Sequence, residues 1–372
     1  MDFKSHALEN HCTSLNLPKN WGEILEYGRY APSPHNMQPW LFRVDSDDTV
    51  TLLYDPKRLL PGTNPAGSYM QVGFGILNET LSIAAAPLGL DVKATYHCAH
   101  LDPAAEGPQV LATLKLVKRK KHEILSRQLI IDRRTSRLEY DGQPVKNELM
   151  QELAEIAQSY GHQFEYSHDP KEVKWTLRLN ADAMFSDMSQ PISRDEVASW
   201  MRFSVKDAKK RQDGLAAYTM NSSGFLMWLF VRFNWFFRLP IIYPIVRSVY
   251  EKTMSGTATV AWLTGPFKTQ QDWENAGKMM ARMWLTMTKH GVYLHPFGSV
   301  ITNPKAHETM MEHFKDRKSA GDLWMLMRMG HSKTPPQAQR IPLSSMLVEK
   351  SIFNKQGQLA PPLEMSTRPN LT

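Results

Sequence analysis

Two stretches of the chain repeat one layout, and that repetition limits the folds open to it. GILNETLSIAAAPLGL runs from Gly75 through Gly89 to Leu90, and GKMMARMWLTMTKHGV runs from Gly277 through Gly291 to Val292. The two glycines are equally spaced in both, and apolar residues recur at helical intervals between them. Each stretch reads as a buried amphipathic helix stopped by a C-terminal glycine and followed by a strand. A strand precedes each as well, TVTLLYD before the first and ATVAWLTG before the second. Helices stand ahead of both halves, in WGEILEYGRYA and KNELMQELAEIAQSYG. Self-similarity of this kind predicts a duplicated α+β lobe.

The two copies have diverged. Only the first carries the proline-rich elbow SPHNMQPW, and only the second is preceded by DRRTSR. The second also holds a long addition, about 201–255, which contains the apolar run GFLMWLFVRFNWFFRLPIIYPIV. The charged passage from Glu106 to Lys121 reads as the boundary, giving a first lobe over 1–115, a second over 116–345 and a tail over 346–372. VKRKK within that passage reads as solvated linker and not as a nucleic-acid contact, because no aromatic interleaving accompanies it.

Composition narrows the class of partner. A net charge of +7 suits an anionic ligand or an acidic surface. Cys12 and Cys98 are too few for a disulfide framework, which points to the reducing cytoplasm. The start MDFKSHALEN lacks the pattern of a signal peptide. Arg232, Asn234, Arg238, Pro240 and Pro244 interrupt the apolar run at 224–246, so it does not read as a spanning helix. A lid, a lobe-packing helix and a peripheral helix on a membrane surface stay open for it.

Three segments could do chemistry. Arg133, Arg134, Thr135 and Arg137 offer guanidinium forks and a hydroxyl to a phosphate, though a solvated basic turn has the same composition. In the elbow, Pro32, Pro34 and Pro39 stiffen the backbone. Asn36 and Gln38 each bring a donor and an acceptor that could read the edge of a flat heterocycle, or could simply tie down a turn. Near the C-terminus a strand ends at Gly330-His331, and Arg340 follows a Pro-rich loop. VGFGIL lacks the third glycine of a dinucleotide fingerprint and reads as close helix packing. His97, Cys98 and His100 in YHCAH would face opposite sides of a strand, so no metal is expected. The Met-rich run MMARMWLTM reads as core.

Taken together, the motifs resemble the nitroreductase-like FMN oxidoreductase superfamily. Arg133, Arg134, Thr135 and Arg137 match its phosphate motif. Ala31, Pro32, Ser33, Asn36, Gln38, Pro39 and Trp40 match its A-P-S-x-x-N-x-Q-P-W element. Gly330, His331, Arg340 and Pro342 match its late G-[HY]…R-x-P segment. The resemblance implies a nitroreductase-like fold duplicated into an intramolecular pseudodimer, the single-chain two-lobe branch of Acg-type proteins, with a helical apolar insertion in the second lobe. It implies FMN held between lobes, with Ser33, Pro34, Asn36 and Gln38 on one side and Arg133, Arg134, Thr135, Arg137 and Arg340 on the other. Backbone amides around Pro296, Phe297, Gly298 and Ser299 would approach the flavin ring. NADH or NADPH would supply electrons, and a nitroaromatic, quinone or other electron-poor small molecule would receive them by ping-pong turnover. No protein acid or base is implied. The alternative is a non-catalytic FMN-sequestering protein capped by its insertion. A monomer with internal pseudo-two-fold symmetry is expected, with LNLPKN and GHQFEYSHD leaving the second potential site without ligands.

Overall fold

The computed structural model describes residues 17–314 and 321–349. The N-terminal decapeptide, Cys12, the first residues of LNLPKN and the tail from 350 onward lie outside the described residues. The chain enters through α1 (Lys19–Gly28), turns through the elbow, and forms β1 (Trp40–Val44) and β2 (Thr49–Tyr54). Helix α2 (Ser68–Ala85) follows, then β3 (Leu90–Tyr96) and β4 (Gln109–Lys118). These strands make one antiparallel sheet in the order β1-β2-β4-β3. Within α2 only Tyr69 escapes full burial, which is why its sequence is apolar almost all round and not striped.

The second half begins with the short α3 (Arg127–Asp132) and α4 (Asn147–Ser159), then β5 (Gln163–Ser167). A long connection follows, made of α5 (Pro170–Ser189), α6 (Pro191–Ser199), β6 (Met201–Arg202), α7 (Val205–Arg211), β7 (Leu215–Ala216), α8 (Gly224–Arg232) and α9 (Tyr243–Lys252). The sheet resumes with β8 (Thr259–Gly265). Next come α10 (Gln270–Lys289), β9 (Tyr293–Pro296), the short α11 (Gly298–Thr302), α12 (Pro304–His313) and β10 (Asp322–Gly330). The order β5-β8-β10-β9 is again first, second, fourth, third, with α10 placed between strands as α2 is in the first sheet.

Helices α2 and α10 cross at the leading glycine of each repeated stretch. A Cβ on Gly75 would stand 2.3 Å from the Glu274 carbonyl oxygen, and one on Gly277 would stand 2.2 Å from that of Val72. Each carbonyl belongs to the residue three before the facing glycine, the reciprocal pattern expected of a contact about a two-fold axis. VGFGIL is therefore a helix-packing element, as its sequence indicates. Gly89 and Gly291 end the two stretches with φ of +70° and +67°, the left-handed stop read from the sequence.

Three boundaries differ from expectation. The passage read as a linker contains β4, so a division at 115/116 cuts a strand; the alternation in QVLATLKLVK buries Ala112, Leu114 and Leu116, and the lysines beside it mask the pattern. The addition to the second half begins earlier than residue 201, because everything from 168 to 258 separates β5 from β8, while a four-residue turn joins β1 to β2. The start of the tail is anchored: Phe42 donates to the Met346 carbonyl and accepts from the Val348 amide, which adds the C-terminal segment to the edge of the first sheet.

Replacing Gly277 by Ala should destabilise the protein by about 2–3 kcal/mol, since the crossing admits no methyl group. Gly89→Ala, in open space, should cost about 1 kcal/mol from backbone strain alone. Chemical denaturation measures both, and equal losses would contradict a tight crossing.

Candidate functional site

The elbow is held in an unusual backbone conformation. Among the described residues five non-glycines have positive φ: His35, Asn36, Gln38, Gln212 and Asn221. Each such residue costs on the order of 1–3 kcal/mol, so three in the elbow persist only if its surroundings fix them. Ser33 Oγ accepts from the Gln38 amide at 2.9 Å. The buried Gln38 side chain donates to the carbonyls of Asn36 and Gln212, and accepts from the Ile341 amide at 2.9 Å. Asn36 Nδ2 donates to the carbonyls of Gln339 and Gly214.

These bonds correct part of the sequence reading. Both ends of the Gln38 amide are hydrogen-bonded within the protein, so it works as the internal tie of a turn. Asn36 likewise spends its side chain within the chain, and its Oδ1 accepts from Arg340 Nη1 at 2.5 Å.

Beneath the elbow lies a support that the sequence did not disclose. Asp213, almost fully buried, takes Arg202 Nη2 on Oδ1 at 2.7 Å and Arg58 Nη1 on Oδ2 at 2.9 Å. Arg58 also donates to the Met37 carbonyl, and the Gly214 amide donates to the Asn36 carbonyl. Gly214 has φ +77°, and a Cβ there would strike the Trp200 carbonyl at 2.4 Å. The β6–β7 ribbon thus braces the elbow from the second half of the chain.

Across from it, α3 delivers the arginine segment. Thr135 bridges Leu294 at the start of β9, and the Ser136 amide donates to the Leu294 carbonyl. Arg133 is buried and its guanidinium lies 4.4 Å from the Trp284 ring centroid. Burial, then Arg340 and Arg134, push its pKa well below the usual arginine value. Arg137 and Arg340 are each brought to about 10, chiefly by burial. Arg134 turns one nitrogen back onto the carbonyls of Ile131 and Arg133. Among the described residues none of these four arginines forms an ion pair. Arg133 Nη1, Arg137 Nε and Arg340 Nε are buried with no hydrogen-bond partner among the described residues. Clustered buried cations without carboxylates are costly unless an anion joins them, so the donor set fits a phosphate. A narrow cleft lined by Tyr30, Pro32, Thr80, Arg133 and Trp284 opens beside it, drawing on both halves.

Arg328 went unnoticed in the sequence, although a charge inside WMLMRMG was its signal. It is fully buried, donates to His295 Nδ1 at 3.2 Å and to the Leu138 carbonyl at 2.9 Å, and lies over the Tyr140 ring. Burial, then Arg137 and Arg328, hold His295 neutral with its pKa well below the ordinary value. The partly buried His35 is pushed down to about 4 by burial, opposed by Glu196 and aided by Arg137.

The segment after β9 is placed differently from the sequence expectation. Pro296 has no N–H, and the Phe297 amide donates to the Leu326 carbonyl at 2.8 Å within the sheet, its ring buried. Ser299 donates its hydroxyl to Asp187, whose pKa burial raises. That leaves only the amides of Gly298 and Ser299 as donors there, with open space beside Gly298. Among the described residues no group of His, Cys, Asp and Glu is arranged to hold a metal.

No protein-family model and no curated protein matches the chain. Solved structures do resemble it. An FMN-dependent nitroreductase from Mycobacterium smegmatis, in complex with NADPH, covers 59% of this chain and 94% of its own at 16% identity, with a TM-score of 0.37. A nitroreductase with bound FMN from Desulfitobacterium hafniense covers 58% and 92% at 10% identity and 0.34. A nitroreductase-like family protein from Bacillus cereus covers 62% and 96% at 14% identity and 0.32.

Sulfate at about 100 times its Kd should stabilise the protein by roughly 2.7 kcal/mol over chloride of equal ionic strength. The gain should vanish in Arg133→Ala or Arg340→Ala, as read by thermal melts. A pH dependence follows from His35. Its folded pKa of about 4 lies below the unfolded value of 6.5, so the unfolded chain binds the extra proton. Stability is fully present above pH 6.5 and falls as pH drops toward 4. Denaturation midpoints should show a shallower acid slope in His35→Asn, and an unchanged slope would contradict the assignment.

Proposed function

We propose that the chain is an FMN-dependent oxidoreductase, taking electrons from NADH or NADPH and passing them to a nitroaromatic, a quinone or another electron-poor ring in alternating half-reactions. One observation carries this reading: Arg340, which sits beside Arg133 and Arg134, hydrogen-bonds Asn36 of the proline elbow, and neither these three arginines nor Arg137 has a carboxylate partner among the described residues. Arg133, Arg137 and Arg340, with the free face of Arg134, would hold the phosphate. The hydroxyl of Thr135 stands in the same segment. When bound, FMN supplies hydride acceptance and donation, and the protein supplies binding, orientation and electrostatics. Ser33 and Gln38 shape the elbow that faces the arginines, Pro34 stiffens it, and the amides of Gly298 and Ser299 are the remaining candidate donors.

The two halves are, in this reading, the lobes of an intramolecular pseudodimer that works as a monomer in the cytoplasm, with a division after β4. The shared strand order and the reciprocal contact of Gly75 and Gly277 support it. Only one of the two related positions suits an anion. At the other, Arg282 is already held by Glu79 at 2.7 Å and by Glu123 at 2.7 Å, and Arg119 also reaches Glu123.

A second reading, an FMN-sequestering protein without turnover, draws on the insertion acting as a lid. The Thr219 carbonyl accepts from Arg137, Asn221 donates to the Arg137 carbonyl, and Gln339 donates to Tyr218, so the root of α8 lies on the site. Colour and spectrum separate the readings. Purified protein should be yellow, release FMN on denaturation, and bleach on anaerobic addition of NADPH or NADH. Arg133→Ala with Arg340→Ala should lower flavin content at least about tenfold, the loss of one or more charge-assisted contacts. Yellow protein that never bleaches selects the sequestering reading, and protein that refuses added FMN overturns both.

A further inference from the structure

The hairpin formed by α8 and α9 has an inner face that packs and an outer face that does not. On the inside, Phe230, Tyr243 and Tyr250 meet Phe185 of α5 edge to face. On the outside, Phe225, Trp235, Ile241, Ile245 and Val249 stand in solvent, with Trp235 65% and Ile241 81% exposed. Ten of the sixteen large hydrophobic side chains exposed among the described residues fall between 225 and 249. A patch of this density on a water-soluble face marks an interaction surface.

Charge selects the occupant. From Gly214 to Tyr250 the chain contains no Asp or Glu, while Arg232, Arg238 and Arg247 punctuate the apolar residues. Arg247 is used internally by Asp182 and Glu251. Arg232 and Arg238 form no ion pair among the described residues, and Arg232 lies 5.6 Å from the Phe233 ring centroid. Indole and phenyl rings beside unpaired guanidinium groups are the combination that partitions into the headgroup layer of a negatively charged bilayer. No helix of the described residues is long and apolar enough to cross a membrane. The two short helices can only lie in the plane of such a layer, apolar side down.

We propose that the outer face of the α8–α9 hairpin beds into the surface of an anionic lipid bilayer. Both roots of the hairpin touch the arginine site: Thr219 and Asn221 hydrogen-bond Arg137, and Tyr250 lies close enough to favour its charge. Docking therefore holds that site beside the lipid surface. Bedding of this face into lipid does not depend on flavin binding.

Full-length protein is floated with phosphatidylcholine vesicles, with and without phosphatidylglycerol, at low and high salt, and its mass is followed by light scattering. It should float with the charged vesicles, with at least roughly tenfold less bound to the neutral ones or at high salt. Trp235→Asp with Ile241→Asp, both at exposed positions, should lose flotation by a similar factor while keeping the wild-type circular dichroism. Arg232→Glu with Arg238→Glu should remove only the preference for charged lipid. A wild-type protein that floats with neither vesicle, or equally with both, overturns the proposal. So does a dimer that Trp235→Asp with Ile241→Asp splits, since the face would then belong to a second copy of the chain.

Discussion

The close crossing of α2 and α10 fixes almost everything else. Two helices can bring their backbones into contact only where side chains are absent, and Gly75 and Gly277 supply that at facing positions. Once the helices cross there, the elements flanking each must fall on opposite sides of one seam. The elbow reaches the seam from the first half through α1, and the arginine segment reaches it from the second half through α3. Neither half contains the whole site.

The seam is also where the fold carries its electrostatic cost. Burying Arg133 and half-burying Arg137 and Arg340 with no carboxylate partner among the described residues, and holding His35, Asn36 and Gln38 at positive φ, both run against stability. The surrounding structure offsets this in particular places. Asp213 clamps Arg202 and Arg58 beneath the elbow, Arg328 ties β10 to His295 and to the Leu138 carbonyl, and the C-terminal segment pairs with Phe42. That last strand-like contact draws the Arg340 loop back over the first half. A protein that spends stability this way keeps the elements where an anion can repay it.

Much of this was legible in the sequence because it rests on local pattern. The two glycine-bounded helices and the left-handed stops at Gly89 and Gly291 follow from spacing and residue chemistry, whereas the pairing of RRTSR with Arg340 was implied only by the family resemblance. What the sequence hid depends on distant contacts. The amides of Gln38 and Asn36 looked like ligands because nothing local shows that Gln212, Gln339 and Ile341 arrive to use them. Asp213 sat in a charged stretch with no mark of burial. Strand β4 was concealed by the lysines that follow it, and the Phe297 amide by its unseen neighbour Leu326. The outer face of α8 and α9 is the reverse case, apolar in sequence and exposed in the fold.

A crystal structure grown with FMN tests the central claim most directly. The account predicts one flavin per chain at the seam, its phosphate contacted by Arg133, Arg137 and Arg340 and its ring beside the elbow, with Arg282 still bound to Glu79 and Glu123. Flavin density elsewhere, or a phosphate that leaves those three arginines without contact, would contradict it.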